Sequence, residues 1–309
     1  MKTVAAIGKK KIPLYPLSLS MLLAASSLQA ASIVTVPQGG VGRWDGIAAA
    51  KCGLFGKTYA AVNAVCYYPV DMNAKPGTHE IVLYDQDEKR HDGSLIIEKV
   101  EYPEIEITLP DDTYIDISDE NMARHREERA RVLALFKAPI SAPRFSLPLG
   151  APTANMPRSE DDFGSRRLFN GKRKSQHTGR DAPVGAGTSI KAVADGTVVL
   201  AEDQFFTGTA VYIDHGAGLI SMNFHMDKLS VKAGDEVERG QVIGTVGGSG
   251  RATGPHLHLG LRWLGARIDP YVLLDSTDKL PSITDSSAAA AAKIDAQLSK
   301  EPPETDEVP

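Results

Sequence analysis

Gly254-Pro255-His256-Leu257-His258, continuing as Leu259-Gly260-Leu261-Arg262-Trp263, is the stretch from which the chain can be read. His256 to Trp263 has the pattern of a β-strand, in which side chains alternate with a period of two. His256 and His258 then share one face, and Leu257 points the other way, into a core. Two imidazoles on one strand face can both hold a metal. Alternatively, one holds it while the other works beside it. His177 and Asp181 lie upstream at a four-residue spacing, and His225 lies between them and the pair.

Five of the eight histidines fall within residues 177–258: His177, His215, His225, His256 and His258. Zinc takes imidazole nitrogen and carboxylate oxygen in a tetrahedral site, and a catalytic zinc keeps one position open for water. Three protein ligands are therefore expected: His177, Asp181 and one of His256 and His258. The residues alone leave that last choice open. The remaining imidazoles are free for proton transfer or charge stabilisation. His215, within Asp214-His215-Gly216, reads as a turn residue.

Outward from this set, strand patterns fill the C-terminal half. Candidates are Ile190 to Leu200 (broken by a turn at Asp195-Gly196), Ala210 to Asp214 and Gln241 to Val246. No good amphipathic helix interrupts them. Towards the N-terminus, Ile81 to Tyr84, Ser94 to Ile97 and Glu104 to Thr108 are further short strands, with turn signals at Lys75-Pro76-Gly77 and Asp92-Gly93. Ser118 has the chemistry of an N-cap, followed by Asp119 and Glu120, and Pro139 stops the helix that it opens. That helix is charged along most of its length, with Val132, Leu133, Leu135 and Phe136 only late. It is expected to pack at that end and otherwise to space two domains, with His125 on a solvated face.

The expected fold is all-β: a small N-terminal β-sandwich, a connecting helix and a C-terminal antiparallel β domain. The boundaries read as a leader over 1–30, the sandwich over 31–112 and the helix over 113–139. The C-terminal domain takes 140–275, beginning with a Pro/Ala/Ser-rich linker or wrap, and a low-complexity, disordered tail takes 276–309.

The leader has Lys9-Lys10-Lys11 followed by a short apolar stretch and Leu28-Gln29-Ala30 as a cleavage site. It is too short to span a bilayer, and no other segment approaches ~18 consecutive apolar residues. The reading is export to the periplasm or beyond, with no membrane span in the mature chain. Loss of residues 1–30 moves the formal charge from −5 to −9, which is not the basic footprint of a nucleic-acid binder. Arg166, Arg167, Lys172, Arg173, Lys174 and Arg180 are a local exception. Cys52 and Cys66, the only cysteines, can form one bridge in an oxidising compartment, worth roughly 3 kcal/mol on the chain-entropy model.

A series of motifs links these elements. Phe163-Gly164-Ser165 and Phe169-Asn170-Gly171 precede His177-Thr178-Gly179-Arg180-Asp181. Asp195-Gly196-Thr197, Ile213-Asp214-His215-Gly216 and Phe224-His225-Met226 follow, then Gly234-Asp235-Glu236-Val237 and Gly240-Gln241-Val242-Ile243-Gly244. Ser249-Gly250-Arg251-Ala252-Thr253-Gly254 leads into the histidine pair. Together they resemble the lysostaphin/LytM-type zinc peptidases, which cut the peptide part of bacterial cell walls. The resemblance covers about residues 163–274. Tyr68-Pro69 and Ala74-Lys75-Pro76-Gly77-Thr78 are similar to the small β-domain that precedes the peptidase in some exported members.

The resemblance implies that His177, Asp181 and His258 ligate Zn2+ and that His225 and His256 assist catalysis. It also implies peptidoglycan stem peptides as substrate, with hydrolysis of cross-links as the activity. The alternative is a catalytically inactive relative that binds the wall and activates another hydrolase. Arg180, where a small or aliphatic residue is usual, and Asn223, where an aromatic one is common, depart from the pattern. Asn170 is a further candidate contact to metal or substrate, and the basic residues around Arg167 are candidates to line the cleft.

Overall fold

The computed structural model describes residues 32–110, 112–154, 156 and 163–283. The leader over 1–30 and residues 284–309 of the tail lie outside the described residues. In the N-terminal part the strands are β1 (Ile33–Pro37), β2 (Val41–Trp44), β3 (Ala49–Leu54), β4 (Lys57–Ala60) and β5 (Cys66–Pro69). They are followed by β6 (Gly77–Asp85), β7 (Arg90–Glu98) and β8 (Glu104–Ile107). Helix α1 (Asp119–Leu135) comes next. The C-terminal part holds β9 (Arg166–Phe169), β10 (Arg173–Gln176), β11 (Gly179–Ala182), β12 (Ser189–Lys191), β13 (Gly196–Gln204) and β14 (Gly208–Asp214). It continues with β15 (Leu219–Leu229), β16 (Glu236–Val237), β17 (Val242–Val246), β18 (Leu257–Trp263) and β19 (Ala266–Ile268). The short helix α2 (Pro270–Leu274) and strand β20 (Ser282–Ile283) close it.

The N-terminal sheet runs in the order β1-β7-β6-β3-β4, and a second, three-stranded sheet runs β20-β2-β5. Side chains from both build one core around Val36, Trp44, Leu54, Tyr68, Leu83, Leu95 and Ile283. The expected bridge between Cys52 and Cys66 crosses this core, linking β3 to β5. Two expectations change here. Asp92-Gly93 is not a turn but lies inside β7, and the reversal comes earlier, between β6 and β7. Glu104 to Ile107 does not join the sandwich. It pairs in parallel with β9 in a separate β10-β9-β8 sheet, so this strand is spent on the C-terminal part.

Ser118 caps α1 as expected, its side chain accepting from the Asn121 backbone. The late apolar residues Val132, Leu135 and Phe136 pack against Tyr212, Ile220, Met222 and Phe224 on the outer face of the large sheet. The charged part is not a free spacer. Glu128 is buried and accepts from the Phe205 backbone N–H at 3.0 Å and from Arg124 at 2.6 Å, while Arg124 also reaches Asp203 at 2.7 Å. Arg124 itself is exposed, so the anchor is the buried Glu128 carboxylate on the Phe205 N–H rather than a buried ion pair. His125 does not sit on a solvated face; its ring meets Phe206 edge-on with centroids 4.7 Å apart.

The large antiparallel sheet runs β11-β18-β15-β14-β13-β16, with β17 on β15 and β12, and β19 on β18. Along β18, Leu257, Leu259 and Leu261 are fully buried, each side chain worth about 1.5–3 kcal/mol. The other face of β18 is thereby committed to His258, Gly260 and Arg262. Residues 140–150 wrap over this part as an extended segment: the Arg144 N–H donates to the His215 carbonyl and the Leu149 N–H to the Leu273 carbonyl. The tail expectation is corrected at its start. Thr277–Lys279 forms a 3-10 turn and Ser282–Ile283 pairs in parallel with β2, because Ile283 has a place in the sandwich core. Helix α2 also stands where no helix was expected; Asp269 caps it and Pro270 opens it.

Candidate metal centre

Strand β18 lies between β11 and β15, and its register sets the site. His258 is directly opposite Asp181 on one side and Phe224 on the other. His177 sits just before β11, four residues ahead of Asp181, where the chain leaves β10. Gly179 makes room on β11: a Cβ there would stand 2.4 Å from the Leu259 carbonyl and 2.6 Å from His258 Nε2. Any other residue would push the His258 ring out of position.

Three atoms converge. His177 Nε2 lies 3.1 Å from Asp181 Oδ1 and 2.9 Å from His258 Nδ1, and His258 Nδ1 lies 2.8 Å from Asp181 Oδ1. Among the described residues this is the group of ligand-type side chains that fits a metal ion. Ligands at zinc distances of 2.0–2.1 Å in a tetrahedron stand about 3.4 Å apart, so a small outward movement of each suffices. The donor set, two imidazoles and one carboxylate, suits zinc and leaves a fourth position. Burial alone would raise the Asp181 carboxyl. Hydrogen bonds from His177 and His258, with their charges, reverse this and hold it well below the usual carboxylate range. Burial pushes the His258 imidazole down, against the pull of Asp181.

The two remaining histidines stand beside this group. On a regular strand His225 would point away from its neighbour Phe224. Its backbone instead takes a left-handed conformation with φ of 60°, an uncommon state for a residue with a Cβ. Alternation breaks there, and both side chains reach the site. Phe224 stacks on His258 with centroids 5.0 Å apart, and His225 lies 4.7 Å from His256. His225 Nδ1 is 2.8 Å from the Ser249 carbonyl, and His256 Nδ1 is 2.8 Å from the Gly254 carbonyl. A carbonyl only accepts, so each Nδ1 carries the hydrogen and each Nε2 keeps its lone pair. Burial, reinforced by His258 and His256, pushes the His225 pKa down to about 3. His256 Nε2 lies 3.7 Å from Asp181 Oδ1.

All five residues picked from the sequence are thus brought together. Asn170 is not: it turns to the β8 side, accepting from the Leu109 N–H at 2.7 Å and donating to Asp112 at 3.0 Å. His215 is fully buried away from the group. Of the basic cluster, Arg167 reaches the centre itself, 2.8 Å from Asp181 Oδ2. Arg180 points out of the site and pairs with Asp269 through two hydrogen bonds of 3.0 and 2.6 Å, beside the Tyr271 ring. It anchors β11 to the cap of α2, which accounts for a charged residue at that position. Arg251 was not singled out from the sequence. Its guanidinium lies over the rings of Phe169 and Phe206 and donates to Ser175. With Arg167, His177, His225 and His258 it lines a pocket of about 130 Å3. A larger apolar cavity of about 410 Å3 lies elsewhere, between the β3–β4 hairpin and the end of α1, and contains none of these residues.

The sequence model for peptidase family M23 matches residues 175–270, which include His177, Asp181, His225, His256 and His258. An M23-family protein of known structure from Pseudomonas aeruginosa is 30% identical. It superposes with a TM-score of 0.59, over 77% of this chain and 94% of that one. The chain belongs to peptidase family M23. Among characterised M23 relatives, the peptidoglycan DD-endopeptidase ShyC of Vibrio cholerae is 35% identical over 150 residues, 47% of this chain and 31% of its own length. ShyA of the same organism, also a peptidoglycan DD-endopeptidase, is 40% identical over 102 residues, 33% of this chain and 24% of its own. This chain therefore spans a third or less of the length of these two relatives.

Proposed function

We propose that this protein is an exported zinc endopeptidase that hydrolyses peptide cross-links of bacterial peptidoglycan. The observation that carries the reading is the convergence of His177 Nε2, Asp181 Oδ1 and His258 Nδ1 beside two histidines that both present Nε2. The two Vibrio cholerae relatives support the substrate class by their own activity. No described helix is long and apolar enough to cross a membrane, and the leader read over residues 1–30 supplies the route out. On this reading the N-terminal β-domain is placed near residues 31–112 and the zinc peptidase domain near 140–275, joined by the helix.

His177, Asp181 and His258 would hold the ion, which when bound supplies Lewis acidity to the scissile carbonyl and to an attacking water. The rest falls to the other residues. The Ser249 carbonyl fixes the His225 tautomer, so His225 Nε2 is ready to accept a proton. Its low basicity rises as negative charge develops next to it. His256, fixed in the same way by the Gly254 carbonyl, is the second proton acceptor. Once protonated, either ring steadies the oxyanion and returns the proton to the leaving amine. Stacking by Phe224 fixes the plane of the His258 ring and so the direction of its Nδ1 lone pair.

The test is mass spectrometry of purified peptidoglycan treated with the protein, with and without a chelator. Hydrolysis gives new amino and carboxyl termini in the cross-links, and the chelator abolishes them. Binding to the wall with no new termini would establish the alternative, an inactive wall-binding activator.

A further inference from the structure

Arg167 stands on β9 with its guanidinium behind the metal centre. Nη2 lies 2.9 Å from His177 Nδ1 and 2.8 Å from Asp181 Oδ2, the two atoms of these residues that face away from the converging group. The two contacts differ in kind. A guanidinium has only N–H donors, and it does not give up its charge in a protein. Asp181 Oδ2 is an acceptor whatever Oδ1 does, so that bond survives when Oδ1 faces a cation. It even favours monodentate use of the carboxylate.

The bond to His177 does not survive in the same way. Nδ1 can meet an arginine N–H only as an acceptor, and a neutral imidazole has one acceptor nitrogen. The ring hydrogen then sits on Nε2. There it has an acceptor within reach, Asp181 Oδ1 at 3.1 Å. A metal at Nε2 requires the other tautomer, with the hydrogen on Nδ1 and normally donated outward to an acceptor. That hydrogen would point at a guanidinium hydrogen.

We propose that Arg167 and the metal compete for His177, so that Arg167 sets the concentration of metal at which the centre fills. Loading moves the guanidinium off Nδ1 while leaving its bond to Asp181. Where Arg167 stands is fixed by the sheet: it is paired with Ile105 of β8 on one side and Ser175 of β10 on the other. The N-terminal part of the chain therefore has a hand on metal affinity through β8. The inference rests on the reading of the His177–Asp181–His258 group as the zinc site.

Two measurements on the full chain test it. Zinc affinity is read by competition with a chromophoric chelator for the wild type and Arg167→Met. The variant is expected to bind about tenfold more tightly, ~1.4 kcal/mol. Unchanged or weaker binding overturns the proposal, weaker binding meaning that Arg167 only supports Asp181. Nitrogen-15 shifts of the histidines in chelator-stripped wild type are the second readout, and they decide the matter if Arg167→Met does not fold. His177 is expected with its hydrogen on Nε2, moving to Nδ1 on zinc addition. A stripped protein with the hydrogen already on Nδ1 overturns the proposal. Zinc bound by the wild type with neither change sinks this inference alone, whereas a wild type that takes no zinc sinks the metal-site reading with it.

Discussion

His215 and His177 are both buried, at 0% and 5% exposure, yet they use their ring nitrogens differently. His215 spends both on the fold. Nδ1 donates to the Asp195 carbonyl at 2.8 Å, so Nε2 accepts from the Ser221 hydroxyl at 2.8 Å. Each contact joins a turn to a strand and ends there. His177 brings Nε2 to two other ligand-type atoms, one of them on a strand 81 residues away in sequence. Burial and hydrogen bonding are common to both. What separates a site from a structural cluster here is that lone-pair atoms from separate strands meet at one point.

The comparison can be broken most directly at His177. His177→Ala is expected to lose zinc and hydrolysis together, measured as metal stoichiometry after gel filtration and release of wall peptides. Full retention of zinc would remove His177 from the ligand set.

A smaller effect is expected from the neighbouring ring that touches no ligand lone pair. His225→Ala should keep its zinc while hydrolysis slows by at least ~100-fold, the usual scale of acid–base assistance. An unchanged rate would place His225 with His215, among the structural histidines.

The smallest effect concerns His215 itself. Burial lowers its pKa from 6.5 to about 4. Between those values the unfolded chain holds the proton and the folded one does not. The stability His215 contributes is therefore complete above pH 6.5 and is lost as pH falls towards 4, at no more than ~1.4 kcal/mol per pH unit. Urea unfolding of the wild type and His215→Gln across this window should show a flatter profile for the variant, with zinc stoichiometry at pH 7 unaltered. Superimposable profiles would show that His215 titrates like an exposed ring.

What was legible in the sequence was what is locally encoded. The alternation from His256 to Trp263 gave a strand with the right face inward, and Ser118 gave the start of α1 to the residue. Strand β15 was not legible. Leu219 to Met226 is buried on both faces, so it has no alternation to read, and the reversal at His225 disturbs what remains. Glu104 to Ile107 has strict alternation, but alternation does not name a partner, and its partner is β9. Arg167 stood in a basic cluster read as cleft-lining. Its contact with His177 arises across the β9–β10 hairpin, where Arg167 pairs with Ser175, and neither short strand was read from the sequence. The choice of His258 over His256 came from family resemblance. In the structure the Nδ1 of His258 lies at the point of convergence and that of His256 on the Gly254 carbonyl.

The pairing of Ser282–Ile283 with β2 makes the N-terminal sandwich a discontinuous unit. Its last strand is supplied from beyond the peptidase part, so that the peptidase is, in topological terms, an insertion between two pieces of one sandwich. A single cut cannot separate the two. A chain ended at residue 275 would strip Ile283 from beside Trp44 and open the core of a module that begins more than 200 residues earlier. Grafting the peptidase elsewhere would require two junctions, and a swap of the sandwich alone would have to carry both of its ends.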